Sequence, residues 1–352
     1  MRAIVFDGPN RIALREVPAP EILHPADALV RVALAGICGT DLHVVAGHFT
    51  GVEPGAVVGH EFTGDVIAVG AGITGIKVGD HVVASDFTAC GHCHWCGRGD
   101  HWECPERSFF GTGAAFGPPI SGAQAEIVRV PNADTTLARI PAGVSDEAAI
   151  LVADNLATGW AAIERARLEP GESVAVVGGG AVGQLASLSA QAAGAGAVIV
   201  IEPSETRRAF ARAHGALAAA PVEARDLINR LTDGDGADVV IEAVGAAPTL
   251  TSALGLVRRR GRVISVGAHA DANYPLPLAR CFADEITLSF AIGDAIRLRQ
   301  RLFGLIRSGV LDPTVVVQAR VALEETPEAY QRLRDQQILK AVINVSIETA
   351  RK

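Results

Sequence analysis

One stretch constrains the fold more than any other: SVAVVGGGAVGQ, residues 173–184. It opens with an apolar run of the kind that forms a strand buried on both faces. Gly178, Gly180 and Gly183 then fall at G-x-G-x-x-G spacing, and an apolar helical pattern follows. The first glycine permits the tight turn, the second lets a pyrophosphate approach the backbone, and the third lets helix and strand pack closely. The positive end of the helix then faces the phosphates. Alone the motif is weak; a strand before it and a helix after it are the context that gives it meaning.

The same alternation continues downstream. AVIVIE, ADVVIEAVG and GRVISVG read as parallel-sheet strands, with helical segments such as TRRAFARAHG between them. The expectation is an α/β chain with a doubly wound Rossmann domain over residues 155–292. Residues 1 to about 130 read instead as short Val- and Ile-rich strands, among them ALVRVALAG, FTGDVIAVG, DHVVAS and AEIVRV. SDEAAILVADNLATGWAAIERA, opened by a capping Ser145, reads as helix. The tail supplies a helix and a late strand, LKAVINV, expected to rejoin the first domain, so that residues 1–154 and 293–352 form one unit.

Residues 173–201 carry no charge, yet GGG, GAG, Gln184 and Gln191 interrupt them, so they read as strand–helix–strand and not as a membrane span. The formal net charge of −8 argues against nucleic acid or an anionic membrane as the main partner. The first residues, MRAIVFDG, hold too short an apolar run for a secretion signal, which points to the cytoplasm. Disulfides are disfavoured there, so clustered cysteines read as metal ligands.

Four of the six cysteines lie in CGHCHWCGRGDHWEC, at C-x2-C-x2-C-x7-C spacing: Cys90, Cys93, Cys96 and Cys104. Four thiolates so spaced close a tetrahedron around zinc and leave no position for a substrate. This lobe, residues 88–106, is expected to be structural, with the chemistry elsewhere. Outside it, Cys38 in AGICGTDLH, His60 and Glu61 in VGHEFTG, and Asp154 in LVADNLATG are all competent zinc ligands. Taken singly, each has an ordinary alternative: a buried cysteine, a loop histidine, a capping aspartate.

The ensemble of GICGTDLH, GHEFTGDVIAVGAGITGIKVGDHV, the complete cysteine lobe and VVGGGAVGQLA resembles the zinc-dependent medium-chain alcohol dehydrogenase family, in order and spacing, over nearly the whole chain. The resemblance implies a mostly-β GroES-like catalytic domain joined to the Rossmann domain. It implies two zinc ions per chain, the catalytic one held by Cys38, His60 and Asp154, with Glu61 close enough to ligate transiently. Where Asp154 stands, the best-known members carry a second cysteine; many bacterial secondary-alcohol dehydrogenases carry Asp. Thr40 and His43 match the family's proton relay. Thr158 and Val182 match positions beside the nicotinamide, and Lys340 matches a basic residue that reaches the pyrophosphate. Phe49, Asp86, Phe87, Phe110 and Phe116 fall at positions near the substrate pocket. Members are commonly dimers or tetramers.

Glu202 ends the second Rossmann strand, 19 residues after Gly183. A carboxylate there accepts hydrogen bonds from the adenosine ribose and repels a 2′-phosphate, so NAD(H) is expected over NADP(H). Arg207 matches a basic position near the ribose in NAD-dependent relatives. The expected substrate is a secondary alcohol or its ketone; a polyol, amino alcohol or aldehyde is the alternative, and a metal-stabilised binding protein without activity the remote one.

Overall fold

The computed structural model describes residues 1–49, 51–269 and 273–345. These residues form two compact units, one of residues 1–154 with 294–352 and one of residues 155–293.

In the second unit six strands run parallel. Across the sheet they lie in the order Leu217–Ala219, Ala197–Ile201, Ser173–Val177, Ala237–Glu242, Val257–Ser265 and Thr287–Phe290. Numbered along the chain that order is 3-2-1-4-5-6, the doubly wound arrangement. Helices on both faces explain why Ser173–Val177 is buried at every position. The uncharged segment 173–201 is strand, helix Ala181–Ala192 and strand. No helix among the described residues is long and apolar enough to cross a membrane.

In the first unit, strand Ala28–Ile37 is the hub. It pairs antiparallel with Phe62–Val69, with Ile127–Val130 and with Lys340–Asn344. Its alternating burial puts Ala28, Val30 and Val32 on the core face, with Arg31 exposed on the other. A core containing Ile4, Phe62, Phe110, Leu137, Tyr330 and Ile343 fills the unit. The predicted helix over 145–166 is divided. Helix Asp146–Ala153, capped by the Ser145 side chain accepting from Ala148 N at 3.2 Å, ends at Asp154, whose backbone leaves the helical region; Asn155–Ala166 then begins anew. The break puts Asp154 at a helix end.

Candidate metal centre and nucleotide loop

Helix Gly39–Ala46 starts immediately after Cys38, and the Asp41 carboxylate closes its first turn by accepting from Cys38 N at 2.8 Å. Asp41 is buried, and its other oxygen lies 3.0 Å from His60 Nδ1. One carboxylate therefore fixes both the cysteine's turn and the imidazole's orientation, as outer partners of metal-binding histidines do. Sequence reading missed Asp41, although its place three residues after Cys38 is a capping position.

Cys38 Sγ lies 3.2 Å from Asp154 Oδ2, and His60 Nε2 lies 3.4 Å from the same oxygen. With Glu61 these side chains offer ligand atoms all within 4.8 Å of one another. His60 is wholly buried, yet neither ring nitrogen makes an aligned hydrogen bond. Buried polar nitrogens are costly in that state, and a cation among a thiolate, an imidazole and carboxylates relieves it. Sulfur, nitrogen and oxygen donors in this number suit zinc. Burial would depress the His60 pKa, but Asp41 and Asp154 outweigh it and hold it well above the usual value. Burial and the Asp154 charge raise the Cys38 thiol. Without metal the cluster holds protons; metal binding releases them.

Glu61 points away from solvent, and its pKa is pushed up to about 7, burial raising it and Lys340 partly restraining it. Lys340, which the resemblance implies for the pyrophosphate, has a partner within its own unit. Its ammonium is buried and forms an ion pair with Glu61 Oε2. The reason is spatial: strand Lys340–Asn344 pairs with Ala28–Ile37, and a Cβ at Gly36 would lie 1.9 Å from Glu61 Oε2, so the missing side chain makes room for the pair.

Thr40 and His43 lie three apart on helix Gly39–Ala46 and share a face. His43 is half-buried, and its Nδ1 lies 3.0 Å from Nδ1 of the exposed His48, a neighbour the sequence reading did not single out. Burial and His48 together lower the His43 pKa. Of the aromatic residues named for the pocket, Phe49 and Phe116 meet edge-on at 5.4 Å, and Phe116 packs on Phe109, whose ring stands 5.2 Å from His60. Phe110 turns instead onto Phe62 in the core, and Phe87 onto Trp102.

In the cysteine lobe the four sulfurs lie within 4.8 Å of one another, unbridged by disulfides. Backbone N–H groups turn toward them: Cys90 N donates to Cys104 Sγ and Cys93 N to Cys90 Sγ, each at 3.3 Å. Backbone donation from Cys96 draws the Cys93 pKa down to about 7. Such donors stabilise thiolates for a closed zinc site. His101 is tied to the rest of this unit, its N and ring contacting Asp294 at 2.9 and 3.1 Å.

In the other unit Gly178 has φ +102°, and a Cβ on Gly183 would lie 1.9 Å from Gly178 O. Both positions need glycine for the turn to pass under the helix that Gly180 caps. Val182 and Thr158 are half-buried on the helices that begin beside this loop and at Asn155. The buried Glu202 accepts from Gly179 N at 2.7 Å and from Ser204 N at 3.0 Å. Each carboxylate oxygen keeps a further lone pair. Arg207 Nη1 stands 3.9 Å from Glu202, whereas Arg208 is held by Glu205.

The sequence matches the alcohol dehydrogenase GroES-like domain family over residues 24–142 and the zinc-binding dehydrogenase family over residues 181–307. The chain belongs to the zinc-dependent medium-chain alcohol dehydrogenase family. This dehydrogenase is 32% identical to a sorbitol dehydrogenase of Bacillus subtilis, across 94% of this chain and 93% of that one. It is 32% identical to an alcohol dehydrogenase of Cupriavidus necator, across 97% and 98%. Among solved structures it is similar to the alcohol dehydrogenase TADH from Thermus sp. ATN1, with 39% identity, a TM-score of 0.93, and 98% and 100% of the two chains covered. The enzyme is thus an oxidoreductase that uses zinc and a nicotinamide cofactor.

Proposed function

We propose that the enzyme interconverts secondary alcohols and ketones with NAD(H), and that it carries one catalytic and one structural zinc per chain. The observation that carries this reading is the buried Cys38–His60–Asp154 cluster, with imidazole nitrogens that no aligned hydrogen bond satisfies. Cys38, His60 and Asp154 hold the catalytic ion, Asp41 orients His60, and Lys340 neutralises Glu61. Bound zinc supplies Lewis acidity toward the alcohol oxygen. Thr40 takes the hydroxyl proton and His43 passes it to solvent through His48; the lowered pKa of His43 favours its release. Cys90, Cys93, Cys96 and Cys104 hold the second ion and stabilise their lobe.

The loop of Gly178, Gly180 and Gly183 holds the pyrophosphate, and Glu202, with Arg207 beside it, accepts the ribose hydroxyls and selects NAD(H). Among the described residues the edge strand Thr287–Phe290 has no strand beyond it, and Phe282, Phe290 and Ile292 are exposed near it in the sequence; a second copy of the chain adding to this edge accounts for both. A cytoplasmic setting suits a chain whose clustered cysteines serve as metal ligands.

The test is turnover of a panel of secondary and primary alcohols with NAD⁺ and NADP⁺, alongside elemental analysis. Two zinc ions per chain and preferred oxidation of secondary alcohols with NAD⁺ are expected. A single ion in active protein, or preference for NADP⁺, overturns the corresponding assignment.

A further inference from the structure

His43 and His48 are brought together by the way their helix ends. Helix Gly39–Ala46 stops at Gly47, whose φ of 78° and ψ of 23° place it in the left-handed region. Gly47 N donates to Val44 O and His48 N to His43 O, each at 3.0 Å. These two bonds are the Schellman closure, which sets the residue after the left-handed glycine over the start of the last turn. An apolar contact frequently fills that place; here two imidazoles do. Their Nδ1 atoms lie 3.0 Å apart and their ring centres 5.3 Å apart.

Two neutral imidazoles facing through Nδ1 share one proton: one ring donates and the other accepts. A zinc-like ion can take the place of that proton. Zinc–nitrogen bonds of about 2.0–2.1 Å at a tetrahedral angle separate the two nitrogens by about 3.3 Å and the ring centres by about 5.3 Å. The ring centres already stand at that separation, so each ring has only to tilt for both lone pairs to meet one ion. The turn beneath them is held by backbone bonds alone and is not disturbed. His48 is exposed, which lets its ring tilt and lets water complete the ion's shell, whereas His43 is half-buried. Burial and His48 lower the His43 pKa, which keeps its ring neutral and able to ligate. Imidazole suits zinc, copper and nickel, whereas magnesium and calcium take oxygen ligands.

We propose that His43 and His48 form a further metal site, for zinc or a similar late transition-metal ion, and that filling it stops turnover by closing the proton route. Neither histidine belongs to the catalytic cluster or to the cysteine lobe. The inhibitory role rests on the proton route through His43 given above. Protons balance without a redox step: each neutral ring keeps its one proton, now on Nε2, and the ion takes both Nδ1 lone pairs. His43 then has no lone pair left to accept the proton that leaves the substrate.

The experiment titrates the zinc-loaded enzyme with further Zn²⁺, counting bound ions by equilibrium dialysis and measuring kcat/KM for one alcohol with NAD⁺. The variants are His48→Ala, His48→Gln and, as a control on the rival group Cys90, His92 and Glu106, His92→Ala. Wild type and His92→Ala are expected to bind one ion beyond the resident ones and to lose about tenfold or more in kcat/KM, because a positioned acid–base group contributes about a hundredfold or more. Each His48 variant, compared with its own rate before Zn²⁺ is added, should bind no extra ion and lose less than about twofold. An extra ion that both His48 variants still bind, or that His92→Ala no longer binds, overturns the site, as does the absence of an extra ion in wild type; each of these leaves the proton route standing. An extra ion that depends on His48 yet leaves kcat/KM unchanged removes His43 from the proton route, and the inhibitory role falls with it.

Discussion

Replacing Lys340 with Met tests how the catalytic unit tolerates a buried glutamate beside its metal ligands. The Lys340 and Glu61 side chains are 1% and 0% exposed and form an ion pair. Glu61 Oε1 has no hydrogen bond of its own, so removing the ammonium leaves the whole carboxylate unpaired. Breaking one side of a buried pair costs about 3–5 kcal/mol. Lys340→Met is expected to fall in that range by urea unfolding followed by fluorescence, on metal-free protein. The double variant Lys340→Met/Glu61→Gln carries no orphaned charge and should recover about 2 kcal/mol or more of the loss. The pH dependence has a definite sign. Glu61 already titrates near 7 when folded, above its ordinary 4.5, and loss of Lys340 raises it further. An acid raised by folding leaves stability intact below its unfolded pKa and removes stability as pH rises through the folded one. The loss in Lys340→Met should therefore be larger at about pH 9 than at about pH 6. A loss below about 1 kcal/mol, or one equal at both pH values, refutes the reasoning.

Cys38→Ser should abolish turnover with little change in unfolding, because it opens the catalytic cluster, whereas Cys96→Ser should lower stability by several kcal/mol, about what loss of a closed zinc site costs; near-native turnover in zinc-loaded Cys38→Ser contradicts the assignment. Glu202→Ala should narrow the NAD⁺ over NADP⁺ preference in kcat/KM, expected to be about tenfold or more in wild type; an unchanged ratio removes Glu202 from the selection. His81 bridges Asp65 and Asp146 at 2.8 and 2.7 Å, and Asp146 above all raises its pKa to about 9. The bridge stabilises fully below about pH 6.5 and fades through about pH 9, and with a side chain 39% exposed it is worth about 1 kcal/mol. His81→Gln should lose that amount at about pH 6 and nothing at about pH 10; an equal loss at both contradicts it.

The sequence is most informative where function is local. The glycines of 178–183 and the cysteines of 90–104 are each close in the chain, so their spacing reports their geometry. Cys38, His60 and Asp154 lie far apart, and only resemblance united them before the fold did. Lys340 shows the limit of local pattern: Glu61, with which it pairs, is 279 positions away, and nothing in the residues around Lys340 announces it. Asp41 is an ordinary turn residue in the sequence, and only burial and partner geometry reveal its surroundings. The break at Asp154 was also hidden, because apolar helical pattern runs through both flanking helices.

Strand Lys340–Asn344 has a consequence for biogenesis. It lies between Val317–Ala322 and Ala28–Ile37, in the interior of its sheet. On the ribosome, residues 155–293 are a continuous segment that emerges complete before this strand exists, and such segments fold as units during synthesis. The N-terminal segment waits, with Ala28–Ile37 presenting an unpaired edge and Glu61 lacking its counter-ion, until the last strand arrives. During that interval the nascent chain is open to wrong strand pairing, and a stalled ribosome would leave a finished nucleotide-binding unit tethered to an unfinished catalytic one.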